Sequence, residues 1–291
     1  MKLPQIRRRE LSTLSDWQDL PPILARVLAG RGIQRPDEVP LTLDQLPSPT
    51  LMPGLEKAVA LLMEAHRQGW KILIIGDYDA DGATATALMV RGLTLLGLPT
   101  PGFLVPDRFE YGYGLSPEIV ELAKQDANPD LIITVDNGIA SLDGVAAAHA
   151  AGIKVLITDH HLPGDVLPDA DAIVNPRLDP ASPFLNLAGV GVAFYLVLAL
   201  RSALRDAGLL PANANPASLL DLVALGTVAD VVVLDRINRI LVEQGLRRMR
   251  AGQCIPGIRE LLKVGRRDPD RVVAQDLGFI VGPRLNAAGR L

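Results

Sequence analysis

Acidic and imidazole side chains follow three apolar segments of this chain, each at the point where the segment ends. The three clusters are Asp77 with Asp79 and Asp81, Asp136 alone, and Asp159 with His160 and His161. An apolar run that stops at turn residues is typical of a parallel strand, and an open α/β sheet binds its ligands beyond the carboxyl ends of such strands. The three clusters are therefore predicted to meet in one crevice. Cations must neutralise so many carboxylates at short range, which predicts a metal-dependent site.

The first cluster has two simpler interpretations. The spacing from Asp77 to Gly82 opens a calcium-binding EF-hand loop, but that loop needs a preceding helix and a Glu at its twelfth position, where Leu88 stands. A solvated turn without metal is the other interpretation. The two further clusters at comparable strand ends weigh against it, although Asp136-Asn137-Gly138 taken alone is a turn-forming sequence.

The histidines narrow the choice of metal. Adjacent side chains after a strand diverge, so one of His160 and His161 can bind metal while the other faces substrate. Imidazole together with carboxylates suits Mn²⁺ or a similar cation better than calcium. The other two histidines, His66 and His149, fall within predicted helices and are interpreted as surface or packing residues.

Composition limits the class of protein. The chain has 291 residues, 48% hydrophobic and 4% aromatic, which supports a large core of aliphatic side chains. Its net charge of −4 mildly opposes a nucleic-acid binder, a class that is often basic overall. The single cysteine, Cys254, excludes an intramolecular disulfide and a cysteine-based zinc site. No apolar stretch approaches the roughly 20 residues that span a bilayer, and the basic N-terminus lacks an apolar leader region, so we expect a cytoplasmic protein.

Strand and helix patterns alternate along the middle of the chain. Predicted strands span 71–75, 102–105, 131–135, 154–158 and 172–174, and predicted helices span 23–29, 55–68, 84–96, 141–151, 190–204, 219–228 and 237–249, with one more opening at 116–118. This alternation predicts an α/β fold with a doubly wound, mostly parallel sheet flanked by helices and followed by a helical segment.

Four segments in order, 76–84, 135–138, 158–161 and 226–230, resemble the motifs of the DHH phosphoesterase superfamily. Segments 106–115 and 282–291 are similar to those of its RecJ-type family, the single-stranded-DNA-specific exonucleases. The resemblance covers about residues 20–291. The seven prolines between residues 21 and 53 interrupt regular elements and predict a lead-in over 1–55. The domains that follow are predicted to be a DHH phosphoesterase domain over 56–235 and a helical connector over 236–291. The connector would lead to a C-terminal domain that this chain lacks, so the chain is interpreted as a fragment.

The resemblance also implies roles for individual residues. Metal ligands would be Asp77, Asp79, Asp136, His160 and Asp230, with Asp136 bridging two ions if two bind. His161 would contact the scissile phosphate, and Asp81 and Asp159 would complete the catalytic group by orienting ligands. Arg108, Tyr113, Arg284 and Asn286 would contact the DNA strand. Some superfamily members carry a ligand histidine four residues before the first motif aspartate, where this chain has Leu73.

The implied activity is hydrolysis of single-stranded DNA from the 5′ end with Mn²⁺ or Mg²⁺, releasing 5′-mononucleotides during DNA repair and recombination. Implied partners are single-stranded DNA, helicases and single-strand-binding proteins, for a monomer with no membrane association. Two alternatives stay open. The same site could hydrolyse short oligonucleotides or a small phosphorylated nucleotide, or the truncated chain could be an inactive scaffold domain.

Overall fold

A computed structural model describes residues 20–33 and 35–288. The chain divides between Gln45 and Leu46 into two compact units. The first unit contains helix α1 (Pro22–Ala29), which begins with proline at a position where a missing backbone N–H costs nothing. The second unit contains the sheet and every element that carries a candidate ligand.

The sheet of the larger unit is parallel throughout the described residues. Its strands are β1 (Ile72–Gly76), β2 (Gly102–Leu104), β3 (Leu131–Val135), β4 (Lys154–Thr158) and β5 (Ala172–Val174). They lie side by side in the order β2-β1-β3-β4-β5. The strand order reverses between β1 and β3, and ligands of such sheets bind at this switch point. Gly76 pairs with Val135, which in turn pairs with Thr158, so β1, β3 and β4 end level with one another.

Helices cover both faces of the sheet. They are α2 (Leu55–Gln68), α3 (Ala80–Leu95), α4 (Arg108–Tyr111), α5 (Pro117–Asp126), α6 (Leu142–Ala150), α7 (Gly189–Asp206), α8 (Leu220–Ala229), α9 (Arg236–Arg250), α10 (Pro256–Val264), α11 (Ala274–Asp276) and α12 (Gly282–Ala288). A π-helical turn, Leu277–Val281, joins α11 to α12. The predicted α/β class with a doubly wound parallel sheet is confirmed. Among the described residues, no helix is both long and apolar enough to cross a membrane.

Two apolar layers hold these helices to the sheet. Side chains of a strand alternate between faces, so Ile74 points into the larger layer with α2, α3, α7 and α8, whereas Ile75 points into the smaller layer with α5 and α6. Helix α7 is buried almost all round over its first half, as its continuous apolar sequence predicts. Leu73 also lies in the smaller layer, where it can offer no metal ligand.

One predicted boundary is wrong in a way that matters for the site. Helix α3 was expected to begin at Thr84 after a loop, but it begins at Ala80, inside the first acidic cluster. The reason is local, because the Asp79 carboxylate accepts a hydrogen bond from the Gly82 amide and so caps the helix. The acidic segment is therefore held by the first turn of a helix.

Candidate metal centre

The first acidic cluster lies where β1 passes into α3. Asp77 Oδ1 accepts a hydrogen bond from the Tyr78 amide at 2.7 Å, and Asp79 caps α3. The chain turns so tightly that Gly82 packs on the Asp77 backbone, and a Cβ at Gly82 would lie 2.5 Å from the Asp77 carbonyl oxygen. The glycine that follows the acidic residues is therefore required by the turn that aims them.

Asp136 follows β3 with a backbone φ of 61°, in the left-handed region that aspartate tolerates better than most residues. The next residue, Asn137, links the two strands at the switch point. The Asn137 side-chain amide donates to the backbone oxygens of Ile75 in β1, at 3.2 Å, and Val135 in β3, at 2.9 Å. These bonds hold the ends of β1 and β3 together on either side of the candidate site.

Asp159 follows β4 and organises the histidine pair. Its Oδ2 accepts from the Ile139 amide at 2.9 Å, and its Oδ1 accepts from the His160 amide at 2.7 Å. His161 Nδ1 lies 2.7 Å from the same Oδ1, and the His161 ring is nearly half exposed. Asp159 therefore aims His161 toward solvent, whereas His160 turns into the buried cluster.

His160 Nε2 is the point at which the clusters converge. It lies 3.1 Å from Asp136 Oδ1, 3.7 Å from Asp230 Oδ2 and 3.9 Å from Asp81 Oδ2. Both His160 Nε2 and Asp136 Oδ1 are buried, yet neither makes a hydrogen bond. Buried polar atoms normally have partners. Carboxylate and imidazole ligand atoms that meet at one point without hydrogen bonds fit a divalent cation of the Mn²⁺ type.

Three overlapping groups of ligand atoms within the described residues could hold such ions. They are Asp77 with Asp79 and Asp136, Asp81 with His160 and Asp230, and Asp136 with His160 and His161. Asp136 and His160 each belong to two of the groups, and of the two only the Asp136 carboxylate has a second oxygen for a second ion.

The N-terminus of α7 completes the centre, and sequence reasoning missed it. The Gly189 and Val190 amides donate to Asp81 Oδ2 at 2.6 Å and to Asp81 Oδ1 at 3.0 Å. A helix N-terminus favours negative charge nearby, so α7 stabilises the buried Asp81 carboxylate. The only sequence signal for this contact is the glycine that begins the apolar helix.

Electrostatics favour cation binding. Burial and the neighbouring carboxylates Asp136 and Asp230 raise the pKa of Asp81. Burial also raises the pKa of Asp77, to about 6. Asp136 and Asp230 are shifted in the same direction by their own burial, and nearby carboxylates, Asp79 among them, add to the rise in pKa. A bound cation would relieve this repulsion and restore the ionised forms.

Asp159 and His161 behave as an ion pair instead. Burial alone would raise the pKa of Asp159, but the hydrogen bonds from His161 and from backbone amides outweigh it and lower that pKa. The same contact raises the pKa of His161. A half-exposed imidazole with a raised pKa, beside the carboxylate cluster, suits contact with an anionic oxygen.

The residues predicted to contact DNA differ in their position relative to the candidate metal centre. Tyr113 lies at the centre, where its hydroxyl donates to the Asp136 carbonyl oxygen at 3.0 Å and lies 3.3 Å from His161 Nδ1. Arg284 is exposed on α12 and donates to the Ile280 carbonyl oxygen. Asn286 Oδ1 accepts a hydrogen bond from the Ala80 amide at 2.7 Å. The backbone of Arg108 begins α4, but its side chain is outside the described part of the structure.

A parallel doubly wound sheet with an acidic and imidazole cluster at its switch point defines an α/β protein with a candidate divalent-metal centre. The family model for the N-terminal domain of the DHH family matches residues 71–227, more than half of the chain. The chain belongs to the DHH family.

Among known proteins, this chain is similar to RecJ exonucleases. The single-stranded-DNA-specific exonuclease RecJ of Salmonella typhimurium is 55% identical over 293 residues, which cover 99% of this chain and 51% of that protein. This chain therefore spans about half the length of that relative.

Solved structures of RecJ exonucleases are similar to this chain as well. The crystal structure of an exonuclease RecJ bound to manganese has a TM-score of 0.73 and 40% identity, covering 84% of this chain and 58% of that one. RecJ from Thermus thermophilus in complex with Mg²⁺ has a TM-score of 0.65 and 35% identity, covering 92% of this chain and 34% of that one.

Proposed function

We propose that this chain carries the catalytic centre of a single-stranded-DNA-specific exonuclease that hydrolyses phosphodiester bonds with Mn²⁺ or Mg²⁺. The observation that carries the proposal is the convergence of His160 Nε2 with three carboxylates while its nearest neighbour, Asp136 Oδ1, also lacks a hydrogen-bond partner. The Mn²⁺ and Mg²⁺ complexes of the similar RecJ structures support the choice of cation.

In this proposal the cations are held by Asp77, Asp79, Asp136, His160 and Asp230. Bound divalent cations lower the pKa of a coordinated water and stabilise charge on phosphoryl oxygens. Asp136 and His160 each belong to two of the three ligand groups, and Asp136 is the shared ligand in this proposal because its carboxylate has two oxygens, whereas His160 Nε2 is a single ligand atom. Asp81 orients the cluster from the side of α7, since both of its carboxylate oxygens accept hydrogen bonds from backbone amides of that helix.

The remaining residues act on the substrate. His161 contacts the scissile phosphate as a cation, held in place by Asp159 and by the Tyr113 hydroxyl. Tyr113, Arg108, Arg284 and Asn286 contact the strand, whose terminal nucleotide is removed at the 5′ end to give 5′-mononucleotides. Asn286 Oδ1 accepts the Ala80 amide, so in this proposal its side-chain NH2 is the group that contacts the strand.

The proposal places the protein in DNA repair and recombination, in the cytoplasm and as a monomer. Helicases and single-strand-binding proteins are its proposed partners, because they produce and cover the substrate that the site would take. The identity to a single-stranded-DNA-specific exonuclease supports single-stranded DNA as the substrate, and because this chain spans about half of that relative, its own activity is the first thing to measure.

The test is hydrolysis of end-labelled single-stranded DNA by the purified chain with Mn²⁺ or Mg²⁺. Asp136→Ala removes the shared ligand, and Asp206→Ala is the matched control because Asp206 is an exposed carboxylate that pairs with Arg205. Mononucleotides released from the 5′ end by the unsubstituted chain and the control, but not by Asp136→Ala, are expected. Hydrolysis confined to dinucleotides or small phosphorylated nucleotides would favour the smaller substrates. Manganese binding without hydrolysis would favour a scaffold.

A further inference from the structure

Helix α12 contacts both of the chain segments that supply the first and last candidate ligands. At one point, Asn286 Oδ1 accepts the Ala80 amide at 2.7 Å, between Asp79 and Asp81. At another, Gly282 packs so closely on α8 that a Cβ there would lie 3.0 Å from the Cβ of Ala229, the residue before Asp230. Leu285, between these two points, packs against the larger apolar layer.

The amide that Asn286 accepts cannot find another partner easily. Ala80 is 1% exposed, and its N–H belongs to the first turn of α3, where no earlier carbonyl of the helix can accept it. A buried donor without an acceptor is costly. Asn286 therefore satisfies a backbone donor that is buried in the folded protein.

The same bond acts on a candidate ligand. It orients the peptide that joins Asp79 to Ala80, and that peptide sets the backbone angles from which the Asp79 side chain projects. Asp79 must also keep its carboxylate on the Gly82 amide as a helix cap. Fixing the peptide keeps an Asp79 carboxylate oxygen within 4.8 Å of ligand atoms of Asp77 and Asp136.

We propose that Asn286 is a positioning residue of the metal centre, and that α12 holds the start of α3 and the end of α8 at the separation that cation binding requires. This inference rests on the proposed metal-dependent function. It gives segment 282–288 a role inside the protein, independent of any contact with DNA. The separation between two ligand-bearing helix ends then depends on one side-chain amide.

The experiment is titration of the full chain with Mn²⁺. Binding is measured by calorimetry or by the electron paramagnetic resonance signal of the free ion. Asn286→Ala is expected to weaken Mn²⁺ affinity about tenfold, the lower end of what loss of an orienting partner costs. Asn286→Asp keeps an oxygen at the same place and is expected to restore the affinity. Asn215→Ala is the matched control, because Asn215 Oδ1 likewise accepts a backbone amide, that of Ala217, at the start of a helical turn.

Hydrogen exchange at the Ala80 amide is the second readout. We expect slow exchange in the unsubstituted chain and in Asn286→Asp, and fast exchange in Asn286→Ala. If Asn286→Asp restored the Mn²⁺ affinity while its Ala80 amide exchanged fast, the rescue would come from the added charge, and the proposal would be overturned. Equal Mn²⁺ affinities of the unsubstituted chain and Asn286→Ala would also overturn it. If the alanine variant does not fold, fast exchange at Ala80 in the unsubstituted chain overturns it. Absence of Mn²⁺ binding by the unsubstituted chain would instead overturn the metal centre itself.

Discussion

Gly189 and Asp136 lie in such close contact that a Cβ on Gly189 would fall 2.4 Å from Asp136 Oδ1. The glycine lets the N-terminus of α7 approach the cluster and reach Asp81, which accepts the Gly189 amide at 2.6 Å. Two carboxylates of the site therefore depend on the absence of one side chain.

Gly189→Ala is expected to displace Asp136 and to weaken Mn²⁺ binding strongly. Overpacking a buried site also lowers the free energy of unfolding by about 1–3 kcal/mol. Urea denaturation and Mn²⁺ titration measure the two effects. Gly257→Ala is the control, because a Cβ on Gly257 in α10 would meet open space. Wild-type affinity in Gly189→Ala would contradict the geometry of this contact.

The carboxylate cluster makes the stability of the metal-free protein depend on pH in an unusual direction. Asp77 has a pKa of about 6 in the folded state, because of its burial, against 3.8 without the fold. Between these values the folded state binds more protons than the unfolded state, so the free energy of unfolding falls as the pH rises from about 4 to about 6. We therefore expect the metal-free chain to be more stable at pH 5 than at pH 7.

Metal should reverse that trend, because the ligands must lose their protons to bind it. Denaturation at several pH values, with chelator and with excess Mn²⁺, checks both statements. Asp77→Asn should stabilise the metal-free chain at pH 7 while weakening its Mn²⁺ affinity. A metal-free chain that gains stability from pH 5 to pH 7 would show that the cluster is not the dominant titrating group.

The two neighbouring histidines should separate metal binding from hydrolysis. His160 Nε2 converges with three carboxylates, so His160→Asn is expected to weaken Mn²⁺ affinity by at least about tenfold. His161 is turned outward by Asp159, so His161→Asn should change the affinity little and lower kcat. Mn²⁺ titration and steady-state hydrolysis of single-stranded DNA are the measurements. Equal losses of affinity in both variants would place His161 among the ligands.

Val231 stores backbone strain directly after Asp230. Its φ is 63°, a left-handed conformation that a β-branched residue adopts at a cost, and its side chain is 86% exposed. Val231→Asn relieves this strain without removing a buried contact, so we expect the free energy of unfolding to rise by about 1 kcal/mol. Val233→Asn is the control, since Val233 is also exposed but has no positive φ. Urea denaturation compares the pair, and an equal change in both would rule out strain as the cause.

The sequence located most of the candidate site because each cluster directly follows a strand. Level ends of β1, β3 and β4 follow from a parallel sheet, so Asp77, Asp136 and His160 could be expected to lie together once the strands were identified. The ligand roles of these residues stay predictions until metal binding is measured.

Backbone contacts between distant segments could not be predicted in the same way. Every residue type except proline has a backbone amide, and the glycine that begins α7 does not by itself indicate what its amide contacts, so the partner of Asp81 was missed. The start of α3 was missed because an aspartate that caps a helix has the same sequence appearance as one in a loop. Asn286 illustrates a third limit, since the polarity of a side chain does not tell whether DNA or a buried amide is its partner.

The parallel sheet has a kinetic consequence. Strand β1 pairs with β3, whose residues lie far along the chain, and a parallel pair cannot be joined by a tight hairpin. Such long-range pairing slows folding. His160, Asp136 and Asp230 come from three separate parts of the chain, so the complete set of candidate ligands forms only after these parts have come together. We therefore expect tight Mn²⁺ binding to appear late in refolding, after the sheet has formed.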